Sequence, residues 1–245
     1  MSIQANGLTV RYGAHVAVRG LTLAAHHGEV LAVIGANGSG KSSLLRALAG
    51  LVPHSGSVAR RPAARIGYMP QETAARAALT VFEVVLLGRL RSLALKVATP
   101  DLDAAARALD EVGIPELASR RITTLSGGQR QLAFLAQVLA ADPTILLLDE
   151  PSSALDIAHQ FQVLTLLREA TRRRGLTTIA VLHDLNAAAR FADRLALLHQ
   201  GGLLAEGSPA AVLRPETLRQ AYGISAAILA GPDGCPVVVP TGVAA

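Results

Sequence analysis

Three short clusters of residues can do chemistry on a phosphorylated ligand. The first, Gly35-Ala36-Asn37-Gly38-Ser39-Gly40-Lys41-Ser42-Ser43, directly follows the apolar run Val30–Ile34. Strand, glycine loop and helix come in the order needed to wrap phosphate oxygens with backbone amides. The glycines let those amides turn inward, Lys41 offers a compact charge to β- and γ-phosphates, and Ser42 offers a hydroxyl to magnesium. A second cluster, Asp149-Glu150, ends the unbroken apolar run Ile145–Leu148, a pattern suited to a strand covered on both faces. At the carboxyl end of such a strand Asp149 would face magnesium and Glu150 a water near the γ-phosphate. Between them lies Leu125-Ser126-Gly127-Gly128-Gln129, where a serine hydroxyl and two glycine amides open a predicted helix. Unpaired N–H groups and the helix dipole favour an anion there. The chain therefore carries two cradles for phosphate.

An LSGGQ placed between a phosphate loop and an acidic strand end resembles the ATPases of ABC transporters, and the motifs follow one another along nearly the whole chain. The resemblance implies ATP and magnesium as ligands and hydrolysis by in-line attack of water. It assigns Lys41 to the phosphates, Ser42, Asp149 and Gln71 to the metal, Glu150 to the role of general base, and His183 to the γ-phosphate. Gln71, in Tyr68-Met69-Pro70-Gln71, is similar to the family's Q-loop, and Ser152-Ser153-Ala154-Leu155-Asp156 to its D-loop. Tyr12 resembles the aromatic that stacks on adenine, although a tyrosine there also suits core packing. Ser126, Gly127, Gly128 and Gln129 of one copy would close over ATP held by another, so a second copy is an implied partner. A multi-span permease and, through it, a substrate-binding protein are the others.

Narrower features, Thr80–Arg89, Leu155–Gln160 and Gly234–Pro240, look like importers of iron–siderophore complexes, haem or cobalamin. The stretch from Gly56 to Gln71 is shorter than that group leads one to expect, and is similar to zinc and manganese importers. His159 stands either for chemistry or for one polar residue on a helix whose Ile157, Phe161 and Leu164 face the core.

The elements that must position these residues are legible as well. Leu8–Tyr12 and Val16–Leu23 read as strands of an antiparallel flap. Thr80 as N-cap with Gly88 at the end, and Pro100-Asp101 opening Leu102–Val112, read as helices of an insert that ends by presenting Leu125–Gln129. Thereafter strands and helices alternate: Thr144–Leu148, Asp156–Arg174, Thr177–Leu182, Leu185–Ala192 and Arg194–His199. That recurrence predicts an α/β fold, a mostly parallel sheet with flanking helices. A turn at Gln200-Gly201-Gly202, two short helices over Pro209–Tyr222 and a strand-like Val237–Val239 between Pro236 and Pro240 follow. The expected organisation is one ATPase domain over 1–245: a nucleotide-binding core from 1–70 and 141–222, a helical subdomain over 71–140, and a tail from 223 to 245.

Composition narrows the function further. No run approaches about 18 consecutive apolar residues, and the N-terminus lacks a charged-then-apolar leader, so the protein should be cytoplasmic and reach a membrane through its partner. The single cysteine, Cys235, forms no internal disulfide and suggests no chemistry. A net charge of +5 invites a nucleic-acid reading. Yet Lys41 and Lys96 are the sole lysines, the arginines are dispersed, and aromatics make up only 3%. The cluster Arg172-Arg173-Arg174 before Gly175 reads as a solvated helix end, where cations complement the dipole. Nucleic acid is therefore not an expected partner.

Overall fold

The computed structural model describes residues 1–71, 78–89, 97–153, 155–231 and 233–244. Parts of the expected helical subdomain (72–77 and 90–96, including Lys96) and Ala154 of the Ser152–Asp156 loop lie outside the described residues.

Ile3–Tyr12 (β1) and His15–Ala25 (β2) pair antiparallel around a tight turn that sets Tyr12 opposite His15. Both strands run longer than the sequence suggested, because Gly7 and Gly20, each with positive φ, kink the ladder and do not end it. Val30–Ile34 (β3) is buried at every position and leads through the glycine loop into Lys41–Ala49 (α1). Ser55–Arg60 (β4) pairs with β1 and completes a three-stranded flap in the order β2-β1-β4. Its sequence, SGSVAR, has too little apolar alternation to announce a strand. Ile66–Met69 (β5) is the edge of the main sheet.

Helices then take over, as expected. Val81–Leu87 (α2) opens with a reciprocal cap between Thr80 and Glu83, Thr99–Val112 (α3) carries proline in its first turn, and Gly127–Ala140 (α4) starts at Ser126. Ile145–Asp149 (β6), Ile157–Arg174 (α5), Thr177–Val181 (β7), Leu185–Phe191 (α6) and Arg194–His199 (β8) restore the α/β alternation. Gly202–Gly207 (β9) returns antiparallel to β8. Two short helices, Pro209–Val212 (α7) and Pro215–Tyr222 (α8), precede a hairpin of Ile224–Ala230 (β10) and Pro236–Val243 (β11).

The main sheet has the order β5-β6-β7-β3-β8-β9, parallel throughout except for β9. Side chains alternate across a strand, so each central strand feeds two cores. Leu31, Val33, Ile145, Leu147, Ile179 and Val181 pack toward α1 and the flap. Ala32, Ile34, Leu146, Leu148, Ala180 and Leu197 pack toward the helices of the opposite layer. Burial on both faces is the reason these strands read as unbroken apolar runs.

Some expectations are corrected and others extended. Ile157 and Phe161 do not face the core; they are 77% and 40% exposed, and only Leu164 of that trio is buried. Phe161 instead packs edge-on against Phe191 under the Arg190 guanidinium. The Arg172–Arg174 cluster is an exposed helix end capped by Gly175, as expected, and is ion-paired as well: Arg173 and Arg174 meet Glu111 of α3, Arg172 meets Asp193, and Arg174 also donates to Leu139 O at 3.1 Å. The cluster therefore ties α5 to the ends of α3 and α4. Finally, Pro240 does not end its strand, which continues to Val243, and Ile224–Ala230 is a strand the sequence reading passed over. A two-stranded ribbon leaves an outer edge where proline loses no ladder bond.

Candidate active site

The loop after β3 is shaped by contacts that only glycine permits. A Cβ on Gly35 would lie 2.4 Å from Leu198 O, and one on Gly40 would lie 2.2 Å from Ala17 O. Both residues also have positive φ. The loop is thus pressed against β8 on one side and β2 on the other. Gly40 caps α1 without any side chain, which leaves the first-turn amides free of a competing acceptor.

Lys41 is buried, and its Nζ donates to Gly35 O at 2.8 Å and Ala36 O at 2.9 Å. An ammonium has three donors, so one is left for a ligand. Burial pulls its pKa below the usual lysine value, opposed by the charges of Glu150 and Asp149. Ser42 Oγ donates to Asp149 Oδ1 at 2.9 Å, which turns the serine lone pairs away from Asp149. Asp149 is fully buried, and its Oδ2 has no hydrogen-bond partner among the described residues. Its carboxyl is pushed above the usual range chiefly by desolvation, with the Ser42 hydrogen bond opposing and the Glu150 charge adding to the shift.

Glu150 lies one residue beyond β6, in a left-handed conformation with φ 57°. Its carboxylate joins two otherwise separate loops: Gln71 Nε2 donates to Oε2 at 2.9 Å, and His183 Nε2 lies 2.5 Å from Oε1. A carboxylate only accepts, so the proton of that last bond sits on His183 Nε2. Each Glu150 oxygen keeps a second lone pair for a proton arriving from elsewhere. Ser153 holds the turn by donating from Oγ to Glu150 O at 3.0 Å.

Lys41, Ser42, Gln71, Glu150 and His183 line one cleft of about 550 Å³, together with Tyr12, Asn37, Gly38, Gly40, Ser43 and two residues the sequence reading did not single out, His15 and Ala17; Asp149, buried and bonded to Ser42, lies outside that lining. Gly35 and Ser39 sit beneath it as buried parts of the loop. Tyr12 is 45% exposed at the lip, a placement unlike core packing. The hairpin register could have revealed His15, since it faces Tyr12 across the turn.

Ser126, Gly127, Gly128 and Gln129 are not part of this lining. Ser126 caps α4 by accepting from Gln129 N, and Gln129 Oε1 accepts from Ser126 N, both at 3.3 Å. Ser126 and Gly127 are exposed, with open space where a Gly127 Cβ would stand. Gly128 is buried, and beneath it lies His159: a Cβ at 128 would be 2.6 Å from the ring Cδ2. Gln131, also unnoticed in the sequence, donates from Nε2 to Pro151 O at 2.6 Å.

The model of the ABC transporter family matches residues 18–153, more than half of the chain and all of the cleft's phosphate loop. The chain belongs to the ABC transporter family. It is an ATP-binding subunit of that family, and such subunits hydrolyse ATP. Over 96% of its length, and 92% of the relative's, it is 40% identical to the ferric enterobactin transport ATP-binding protein FepC of Escherichia coli K12. It is 41% identical to the hemin import ATP-binding protein HmuV of Gloeobacter violaceus, covering 98% of this chain and 94% of that one. Among solved structures, an inward-facing transporter described as of the metal-chelate ABC type contains a chain that superposes with a TM-score of 0.88 at 31% identity, over 98% of this chain and 97% of that one. The cassette MJ0796, solved as a dimer, superposes with a TM-score of 0.73 at 26% identity, over 84% and 98% of the two chains. Among the described residues no helix is long and apolar enough to cross a membrane.

Proposed function

We propose that this ABC subunit energises import of a metal chelate, an iron–siderophore complex, haem or cobalamin, through a separate multi-span permease. The observation that carries the substrate class is similarity over nearly the whole chain to proteins named for ferric enterobactin transport and hemin import. A match limited to the nucleotide motifs would speak for ATP alone. The short stretch from Gly56 to Gln71 is the one feature favouring zinc or manganese, and a single loop length weighs less than identity spread over 96–98% of the chain.

In this reading Tyr12 stacks on adenine, and Gly35–Ser43 wrap the phosphates with Lys41 on the β- and γ-groups. Ser42, Asp149 and Gln71 would hold magnesium; Asp149 Oδ2, without a partner among the described residues, and the outward lone pairs of Ser42 form the oxygen-rich set a hard cation prefers. When bound, that ion supplies positive charge against the charge developing on the phosphates. Glu150 accepts a proton from the attacking water through its remaining lone pairs, and His183, hinged on the same carboxylate, stabilises the γ-phosphate. Ser126, Gly127, Gly128 and Gln129 of a second copy close the site. Phosphoryl transfer is largely a matter of positioning and charge, so hydrolysis waits on that closure. The chain acts as one domain: 1–70 and 141–222 bind nucleotide, 71–140 faces the permease, and 223–245 is a tail. It works at the cytoplasmic face of the membrane, with a substrate-binding protein on the far side.

Deleting the gene should abolish growth on ferric siderophore or haem as sole iron source, with rescue by the wild-type gene and none by Lys41→Ala. Unchanged iron uptake alongside lost zinc or manganese uptake would overturn the substrate class.

A further inference from the structure

His159 is the residue the mechanism leaves without a task, yet it touches both halves of the chemistry. Its ring lies directly under Gly128, where an added Cβ would meet Cδ2 at 2.6 Å, Cγ at 2.9 Å and Cβ at 3.3 Å. From the same ring, Nδ1 lies 2.8 Å from Asp156 Oδ1, and the His159 backbone N–H donates to that oxygen at 2.9 Å. Both bonds hold the Asp156 carboxyl below its usual pKa, so it is ionised near neutrality and Nδ1 is the donor. The ring is therefore oriented rather than free to swing away. Asp156 is the N-cap of α5, and Pro151, one residue past Glu150, is held through its carbonyl by Gln131 of α4. The helix that opens with the Ser126–Gly128 nest thus meets its own chain at Pro151 and at His159.

We infer that His159 is a positioning residue that locks the Ser126–Gly128 nest to Asp156 at the head of α5 in the same copy, while Gln131 ties the same helix to Pro151, so that seating the nest on a partner's ATP also sets this copy's own Glu150. The inference rests on the shared-site reading above. It explains why position 128 is glycine from the inside of the chain: the lower face is occupied by an imidazole that a hydrogen bond prevents from retreating. It also gives the two nucleotide sites of a pair a mechanical link that passes through packed atoms of each copy.

The test uses the full-length chain at saturating ATP and magnesium. His159→Ala removes both contacts and should lower kcat about tenfold, with ATP affinity at the Lys41 cleft and the melting temperature close to wild type. His159→Asn places atoms where Cγ, Nδ1 and Cδ2 stood, keeps a donor toward Asp156, and should restore most of the turnover. Gly128→Ala should be the most impaired, and the pair Gly128→Ala with His159→Ala should recover to the level of His159→Ala alone, because the obstructing ring is gone. His159→Ala with wild-type kcat overturns the lock. So does a double variant no better than Gly128→Ala, since Gly128 would then be required only by the phosphate above it, and so does a turnover loss matched by lost ATP affinity or folding. All of these leave the ATPase assignment intact while Lys41→Ala stays inactive; an active Lys41→Ala protein removes the assignment itself.

Discussion

The two anion cradles of this chain are built from similar residues and finished very differently. At Gly35–Ser43 the loop is pressed between β2 and β8, its lysine is buried and bonded to two carbonyls, and two carboxylates stand within electrostatic reach. At Ser126–Gly128 the outer face is open, the serine is exposed and exchanges hydrogen bonds with Gln129 of the same turn, and the His159 ring lies beneath Gly128. One cradle carries a charge, metal-seeking oxygens and a candidate base. The other offers hydrogen-bond donors alone, as a surface completed by another molecule should. In the proposed shared-site reading, catalytic capacity is distributed unequally: each copy would own the chemistry of one site and only the lid of the other.

Removing the charge from the finished cradle should have the largest effect, with Lys41→Ala dropping ATP hydrolysis to background in a phosphate-release assay while the fold persists. Glu150→Gln should retain nucleotide binding yet lose about 10²–10⁴ in turnover, and light scattering should detect a dimer that accumulates only with ATP. Normal hydrolysis by this variant would place the base elsewhere. Adding Ser126→Arg to it should abolish the dimer without changing ATP affinity, since the bulky cation obstructs the open cradle only; retention of the dimer would erase the contrast between the two. Tyr12→Ala should raise KM for ATP several-fold with little change in kcat, consistent with about 1–3 kcal/mol for a stacked base. A fall in stability with unchanged KM would mark Tyr12 as a packing residue instead.

The smallest effect concerns the stability cost of the finished cradle. Asp149 is buried and binds its proton more tightly in the folded chain than in the unfolded one. Its contribution to stability therefore declines as pH rises from 3.8 through its higher native pKa, and the penalty is fully present above that native pKa. Asp149→Asn should raise the neutral-pH melting temperature, by about 2–4 °C for each kcal/mol recovered, while hydrolysis is lost. Calorimetry finding Asp149→Asn less stable than wild type at pH 7 would contradict this origin of the shift.

The finished cradle was also the more legible in sequence, because its function depends on local spacing. Gly35 to Ser42 is one continuous loop, and Asp149-Glu150 ends a strand whose apolar run reflects burial on both faces. What stayed hidden depends on contacts between distant segments. Gln131 meeting Pro151, His159 beneath Gly128 and Arg174 reaching Glu111 join residues with no local pattern in common. Ile157 and Phe161 have the helical spacing of core residues, yet they stay exposed, Phe161 meeting only the edge of Phe191 and the Arg190 guanidinium among the described residues. β4 escaped notice because it borrows its partner from β1 and presents mostly exposed, small or charged side chains.

The backbone of Glu150 also has an evolutionary consequence. An L-residue at φ 57° occupies a region that glycine enters freely and asparagine tolerates, so the position trades conformational ease for a carboxylate. A library randomised at 150 and selected only for soluble, protease-resistant protein should drift toward glycine and asparagine. The same library selected for growth on a transported iron source should return glutamate. The divergence between the two populations would measure, in allele frequencies, how far this residue is held in place by its chemistry against the preference of its own main chain.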